Sequence, residues 1–187
     1  MNTASERDLS PYVEERADQL VAIVRDLVRI PSENRAPRGA ELGCQEYLAA
    51  RLRLAGWEPK LYTPLEAPGI EDHPLYWPGR DYARRPNLGA IHRGAGGGRS
   101  LVLSGHMDTV PAGSAPWTHP PFSGHVEGNR LYGRGSVDMK AGIASNLFVV
   151  EALSELGIEL AGDLTFESVV DEEFGGVNGT LAGRLMG

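Results

Sequence analysis

The chain has 187 residues, and its 18 Lys plus Arg stand against 25 Asp plus Glu, which gives a formal net charge of −7. Hydrophobic residues make up 41% and charged residues 23%, values of an ordinary folded protein that exclude a disordered, collagen-like or coiled-coil chain. The acidic balance leaves no broad basic field to neutralise phosphates, so nucleic acid is not expected as a partner.

The first ten residues and the single cysteine indicate where in the cell the protein is located. Residues 1–10 are polar and contain no apolar segment of a secretory signal, and no later apolar run reaches the roughly 20 residues that span a bilayer. Cys44 stands alone, which excludes an intramolecular disulfide and a Cys-rich zinc site. It shares helical spacing with Tyr47 and Leu48, which favours a small buried hydrophobe over a reactive thiol. We therefore expect a cytoplasmic protein with no membrane partner.

Apolar residues at helical spacing predict two helices before the first strand. Ser10 and Pro11 fit the N-cap and first position of a helix that Pro31 ends. A second helix is predicted over about 39–55, followed by the short strand WEPKLY. The stretch 63–86 holds five of the 13 prolines and predicts a long irregular surface loop rather than a linker between domains.

The second half of the chain alternates strand and helix patterns. NLGAIHR and SLVLSG are short apolar runs separated by GAGGG, as in two strands joined by a tight turn. Residues 139–156 predict a largely buried helix, and DLTFESVV predicts the next strand. SLVLSG, the helix and DLTFESVV then form a candidate right-handed crossover with parallel strands. The predicted fold class is α/β, with a mainly parallel central sheet flanked by helices.

Acidic and imidazole side chains follow strands or turns at three places. His106 and Asp108 come at the end of SLVLSG, Asp138 precedes the buried helix, and the DEE of residues 171–173 follows DLTFESVV. In open α/β sheets, functional groups collect beyond the carboxyl ends of the strands. Imidazole nitrogen and carboxylate oxygen are ligands that suit zinc, cobalt or manganese.

Each of these groups also has a purely structural interpretation. Residues two apart on an extended segment share a side, so an imidazole could ligate while the carboxylate fixes its ring, but a surface histidine at a strand end is the alternative. Asp138 could equally cap a helix beginning at Met139. Glu172 and Glu173 repel each other unless a cation or proton compensates; the alternative is a pair of solvated loop charges. On extended backbone the two would point to opposite sides and play different roles.

Three runs in the same order carry a resemblance. The chain is similar to the zinc aminoacylase family, which includes acetylornithine deacetylase, succinyl-diaminopimelate desuccinylase and glutamate carboxypeptidase, in SGHMDTVPAG, WTHPPFSGHVEGNRLYGRGSVDMKAG and FESVVDEEFGG. The similarity covers residues 100–179 closely. It implies a dinuclear zinc exopeptidase-like fold and a metal-dependent hydrolase that cleaves an amide bond in an N-acyl amino acid or short peptide. It also implies two divalent metal ions, Zn²⁺ with Co²⁺ or Mn²⁺ as alternatives, and a homodimer in the full-length form.

The resemblance also assigns roles by position. It implies that His106 binds one metal, Asp138 bridges two and Glu173 binds the second, while Asp108 supports His106 and Glu172 is the general base. Family members use five metal ligands, and an acidic residue beyond the Glu pair and a late histidine have no counterpart in this sequence. We therefore expect residues 1–187 to be the N-terminal portion of the catalytic domain. The dimerisation domain and the second half of the catalytic domain are then absent, and little activity is expected.

Other residues of these motifs have structural interpretations, and two other functions remain as alternatives. We interpret His119 and His125 as loop or pocket-rim residues, Trp117 and Phe122 as packing residues, and Lys140 as either paired with a carboxylate or solvated. A non-catalytic binding or assembly protein that retains the fold is one alternative function, although it would not need the general base. A related zinc aminopeptidase is another, although TVPAG and GRGSVDMKAG fit the deacylases better.

Overall fold

A computed structural model describes residues 8–186 of the chain. Residues 1–7, which carry most of the polar opening, lie outside this range. The helices are α1 (Ser10–Glu15), α2 (Ala17–Arg29), α3 (Leu42–Leu54), α4 (Ala141–Glu155) and α5 (Val177–Met186). The strands are β1 (Asn34–Arg35), β2 (Arg38–Gly39), β3 (Lys60–Tyr62), β4 (Asn87–His92), β5 (Leu101–His106), β6 (His125–Glu127), β7 (Arg130–Tyr132) and β8 (Leu164–Val169).

A four-stranded sheet of order β3-β4-β8-β5 forms the centre of the fold. β5 and β8 run parallel, as the predicted crossover through α4 requires, with Leu101 opposite Leu164 and His106 opposite Val169. β4 is antiparallel to both β3 and β8. The α/β class with a central sheet flanked by helices is therefore confirmed. The sheet is mixed rather than mainly parallel, since one of its three described pairings is parallel.

The predicted tight turn between β4 and β5 is wrong, because β8 lies between these two strands. The glycine-rich connection instead packs along residues 160–162, where the N–H groups of Ala95 and Gly96 donate to the carbonyls of Leu160 and Ala161. A Cβ on Gly94 would meet backbone atoms of Gly162, so this close approach requires glycine. The loop therefore carries the chain across the end of β8, and β5 becomes an edge strand of the described sheet.

One large apolar core lies between the sheet and the helices α2, α3 and α4. Leu164 and Phe166 of β8 point into it, and Cys44 is fully buried there, as predicted. Burying a large apolar side chain of this kind contributes roughly 1.5–3 kcal/mol. On the other face, α5 packs on β4 and β8, with Gly183 against the Glu167 side chain. The two faces of β8 thus contact different helices, as strand alternation dictates.

Two predicted segments differ in detail. The first helix is interrupted at Arg16, whose φ of −115° and ψ of 13° separate α1 from α2. The stretch 63–86 is not confined to the surface, since Ile70, Tyr82 and Arg85 are buried. None of the helices in the described range has the length and apolarity to cross a bilayer.

Candidate metal centre

The parallel pairing of β5 with β8 brings the three predicted groups together. His106 ends β5 opposite Val169, and the N–H of Met107 donates to the Val169 carbonyl across 2.9 Å. The two strands therefore end side by side, and the chain leaves β8 toward the two glutamates. One ligand atom from each of His106, Asp138 and Glu173 lies within 4.8 Å of the others.

His106 is the buried centre of this group. Its Nε2 lies 2.9 Å from Oδ1 of Asp138 and 3.6 Å from Oε2 of Glu172. On the other side of the ring, Nδ1 contacts the Asp108 carbonyl oxygen at 2.9 Å and the Asp108 carboxylate at 3.6 Å. Asp108 thus fixes the ring so that Nε2 faces the other carboxylates, which is the orientation a ligating histidine needs.

The neighbouring carboxylates set the charge of His106. Burial lowers the pKa of His106, but the hydrogen bonds and charges of Asp108 and Asp138 outweigh it and raise that pKa to about 9. Burial raises the pKa of Asp108, but the hydrogen bonds from His106, Asn34 and the backbone lower it on balance. A proton on Nε2 of His106 therefore compensates the neighbouring carboxylates at neutral pH. A divalent cation at the same place would do so more completely.

Asp108 also holds the turn that carries both glutamates. Its two carboxylate oxygens accept the backbone N–H groups of Glu172 and Glu173, each at 3.1 Å. The turn is a short 3₁₀ segment, Glu172–Phe174, and it follows Asp171 at a φ of +67°. The expectation of extended backbone here is therefore wrong. Capture of both N–H groups by one buried carboxylate winds the segment, and both glutamate side chains lie near His106.

Asp138 reaches the site from a distorted turn and does not cap a helix. It lies in the turn Ser136–Lys140 with non-helical angles of φ −117° and ψ 102°, and α4 begins only at Ala141. Lys140 is fully buried, and its Nζ donates to the carbonyls of Leu27 and Ile30 at 2.8 and 2.7 Å. Neither sequence interpretation of Lys140 is therefore correct. The lysine ties the turn to the end of α2 and leaves Asp138 free to face His106.

A buried polar network behind the glutamates was not predicted. Asp171 accepts hydrogen bonds from Nε of Arg80 at 2.8 Å, Oη of Tyr82 at 2.6 Å, Nη2 of Arg85 at 3.1 Å and Nδ2 of Asn34 at 2.9 Å. Burial raises the pKa of Asp171, but these partners outweigh it and lower the pKa to about 2. The partners come from the loop 63–86 and from β1, where no local pattern distinguishes them from solvated residues.

The remaining predicted residues lie elsewhere. Trp117 stacks under the Arg134 guanidinium at 5.1 Å, and its Nε1 donates to the Ala112 carbonyl. His119 and His125 stack on each other at 4.0 Å and do not belong to the group around His106. The buried interior therefore holds His106 and Asp108, whereas the side chains of Asp138 and Glu172 are 73% and 48% exposed. The site opens toward solvent on the carboxylate side.

The residues present fit a divalent cation. A buried imidazole nitrogen and two carboxylates already converge, and their donor types suit Zn²⁺, Co²⁺ or Mn²⁺. Asp108 supplies the hydrogen-bonded support that ligating histidines require.

Known proteins resemble the chain both in sequence and in fold. The profile of peptidase family M20/M25/M40 matches residues 102–186. Succinyl-diaminopimelate desuccinylase from Methylobacterium radiotolerans is 38% identical over 165 residues, covering 88% of this chain and 37% of the relative. N-formyl-4-amino-5-aminomethyl-2-methylpyrimidine deformylase from Halalkalibacterium halodurans is 31% identical over 171 residues, covering 90% and 36%. The solved structure of the dipeptidase Dug1p from Saccharomyces cerevisiae shares the fold with a TM-score of 0.69 at 20% identity, covering 90% and 35%. The chain thus spans a little over a third of each of these proteins.

Proposed function

Because residues 102–186 match the model of peptidase family M20/M25/M40, we propose that the chain is the metal-binding part of an amide hydrolase of this family, which removes an acyl group from an amine. The observation that carries the proposal is the convergence of His106, Asp138 and Glu173 beside a further carboxylate, Glu172. A binding or assembly protein would have no use for that additional carboxylate.

His106, Asp138 and Glu173 are the residues that would hold the metal. The cation, when bound, polarises the substrate carbonyl as a Lewis acid and makes water a better nucleophile near neutral pH. On the family resemblance, the site would hold two Zn²⁺ ions, and Asp138 would be the ligand that both share. The short turn and the exposed position of Asp138 support this assignment, because its carboxylate is accessible from more than one direction.

Glu172 is the proposed general base. Its carboxylate lies 3.6 Å from the imidazole of His106 and is about half exposed, so it can contact both a water molecule and a substrate. It would accept a proton from the attacking water and deliver it to the leaving amine nitrogen. Asp108 holds the Glu172 backbone N–H and the His106 ring at once, so it sets the distance between base and ligand.

The proposed substrate class rests on what the similar proteins are named for. The relative that is 38% identical is named for removing a succinyl group, and the one that is 31% identical is named for removing a formyl group. An N-acyl amino acid or related N-acyl amine is therefore the proposed substrate. A short peptide is the second candidate, favoured by the fold shared with a dipeptidase. A homodimer of the full-length form, implied by the resemblance, and a cytoplasmic location, expected from the sequence, also remain proposals.

Metal binding and hydrolysis together test this function. The longest natural form of the protein is loaded with Zn²⁺ or Co²⁺ and assayed on N-succinyl, N-acetyl and N-formyl amino acids and on dipeptides. We expect metal-dependent release of the free amine that is lost in His106→Ala and kept in His92→Ala, which removes an exposed histidine outside the site. Equal metal content and equal activity in these two variants would contradict the proposal.

A further inference from the structure

A second convergent group of possible metal ligands lies on the β6–β7 hairpin. One ligand atom from each of His119, His125 and Glu127 lies within 4.8 Å of the others. None of these residues takes part in the group around His106. The two groups are therefore separate in their ligands.

The hairpin register puts two of these side chains on one face. His125 pairs with Tyr132 and Glu127 pairs with Arg130, so both partners of each pair point to the same side of the ribbon. His119 comes from the preceding loop and covers that face, with its ring 4.0 Å from the His125 ring and 4.7 Å from the Tyr132 ring. Aromatic packing on Tyr132 thus holds both imidazoles in place before any ligand binds.

The base of the hairpin packs against α2. Gly124 has a φ of +57°, and a Cβ there would meet the Arg25 side chain at 2.8 Å, so the hairpin begins in close contact with the helix. The Arg29 Nε donates to the Ser123 carbonyl at 3.0 Å. Gly128, at a φ of +56°, opens the two-residue turn that joins the strands. The three side chains are therefore carried by a hairpin and a loop that are anchored at their base.

The carboxylate of Glu127 is available to a cation. Its one ion-pair contact among residues 8–186 is with Nε2 of His119, at 3.8 Å. Arg130 lies opposite Glu127 in the strand register, but no ion pair joins their side chains within the described range. The Glu127 side chain is 70% exposed and the His119 side chain 23% exposed. A cation can thus approach from solvent and reach two nitrogens and one oxygen.

We propose that His119, His125 and Glu127 form a second metal site that binds a late first-row divalent cation such as Zn²⁺. Two imidazoles and one carboxylate are a donor set that Zn²⁺ binds with one position left for water. A bound ion would connect the loop at residue 119 to both ends of β6. It would therefore stabilise this part of the folded chain.

The test separates this site from the group around His106. Asp138→Asn is used as the background because Asp138 is exposed and its replacement weakens the first group without removing a buried side chain. Zn²⁺ is titrated calorimetrically into this background alone and with His125→Ala, Glu127→Gln or, as the matched control, His92→Ala. Loss of a residue that supports a metal ligand typically lowers metal affinity about 10–100-fold. Loss of a ligand itself should cost more, so we expect His125→Ala to lower the Zn²⁺ affinity of the second site at least ~10-fold. His92→Ala should leave it unchanged.

A second measurement excludes indirect effects of these substitutions. In Asp138→Asn, Zn²⁺ should shift the side-chain ¹⁵N resonances of His119 and His125 together, in proportion to the occupancy measured by calorimetry. It should also raise the melting temperature, and this rise should disappear in Asp138→Asn/His125→Ala. Two results would overturn the proposal. One is an equal Zn²⁺ affinity in Asp138→Asn and Asp138→Asn/His125→Ala. The other is that added Zn²⁺ changes neither the His119 nor the His125 side-chain ¹⁵N resonances.

Discussion

The side-chain amide of Asn34 donates a hydrogen bond to the buried carboxylate of Asp108 across 2.8 Å. The same nitrogen donates to Asp171 at 2.9 Å, so one asparagine links the carboxylate that orients His106 to the carboxylate at the start of the glutamate turn. Asn34 itself is held by its backbone N–H, which donates to the Thr109 carbonyl at 2.8 Å. The site therefore depends on a residue 74 positions away from Asp108 in the sequence.

Replacing Asn34 should weaken both folding and metal binding. Asn34→Ala removes one hydrogen bond from each of two buried carboxylates, and hydrogen bonds to charged groups contribute about 1.5–3 kcal/mol each. We expect a loss of stability of that order in urea unfolding and a Zn²⁺ affinity about 10–100-fold lower, because support of the ligating histidine is disturbed. Gln19→Ala, at an exposed position of α2, is the control. Unchanged Zn²⁺ affinity in Asn34→Ala would show that the link does not matter to the site.

Substitutions of Glu172 and Glu173 should have different effects on metal content and activity. In the longest natural form of the protein, Glu172→Gln should keep its metal and lose about 10²–10⁴-fold in kcat, because a general base contributes a factor of that size. Glu173→Gln should lose metal as well as activity, because its carboxylate belongs to the group that converges on His106. Metal analysis beside steady-state kinetics separates the two. Equal metal loss in both variants would reject the assignment of base and ligand.

The loss of stability below pH 4 should be due in part to protonation of Asp171. Its pKa is lowered from 3.8 to about 2 in the folded chain, so it stabilises the fold fully above pH 4. This contribution is lost as the pH falls from 4 through 2 and amounts to about 2 kcal/mol at roughly 1.4 kcal/mol per pKa unit. Urea unfolding of the wild type and Asp171→Asn at pH 6, 4 and 3 measures it. The advantage of the wild type should shrink toward pH 3, and an advantage independent of pH would contradict the role of the ionised carboxylate.

The edge strand β5 should promote self-association of the chain. β5 pairs with β8 on one side, and Leu101 and Val102 are more than half exposed. Unpaired strand edges with apolar side chains are templates for further pairing, and lysine on such an edge opposes it. Light scattering against concentration should show less association in Val102→Lys than in the wild type. Leu54→Lys, which replaces an equally apolar exposed residue at the end of α3, should have no such effect. The same association in both variants would exclude the β5 edge.

The parts of the site that were predictable from sequence lie on neighbouring elements. Parallel pairing of β5 with β8 follows from the crossover through α4, and it places His106 and the glutamate turn at one edge. The Asn34 network was not predictable, because its partners come from segments with no periodic pattern and meet only in the folded chain. The wound glutamate turn was missed for the same reason. Its shape is set by the distant Asp108 carboxylate rather than by the local sequence.

The central claim is that His106, Asp138 and Glu173 bind a divalent metal. The most direct measurement is a crystal structure of the Zn²⁺-soaked protein with anomalous differences recorded at the zinc absorption edge. The account predicts an anomalous peak about 2.0–2.2 Å from Nε2 of His106 and from carboxylate oxygens of Asp138 and Glu173. A well-ordered structure with no anomalous peak beside His106, under conditions where Zn²⁺ is bound elsewhere, would contradict it.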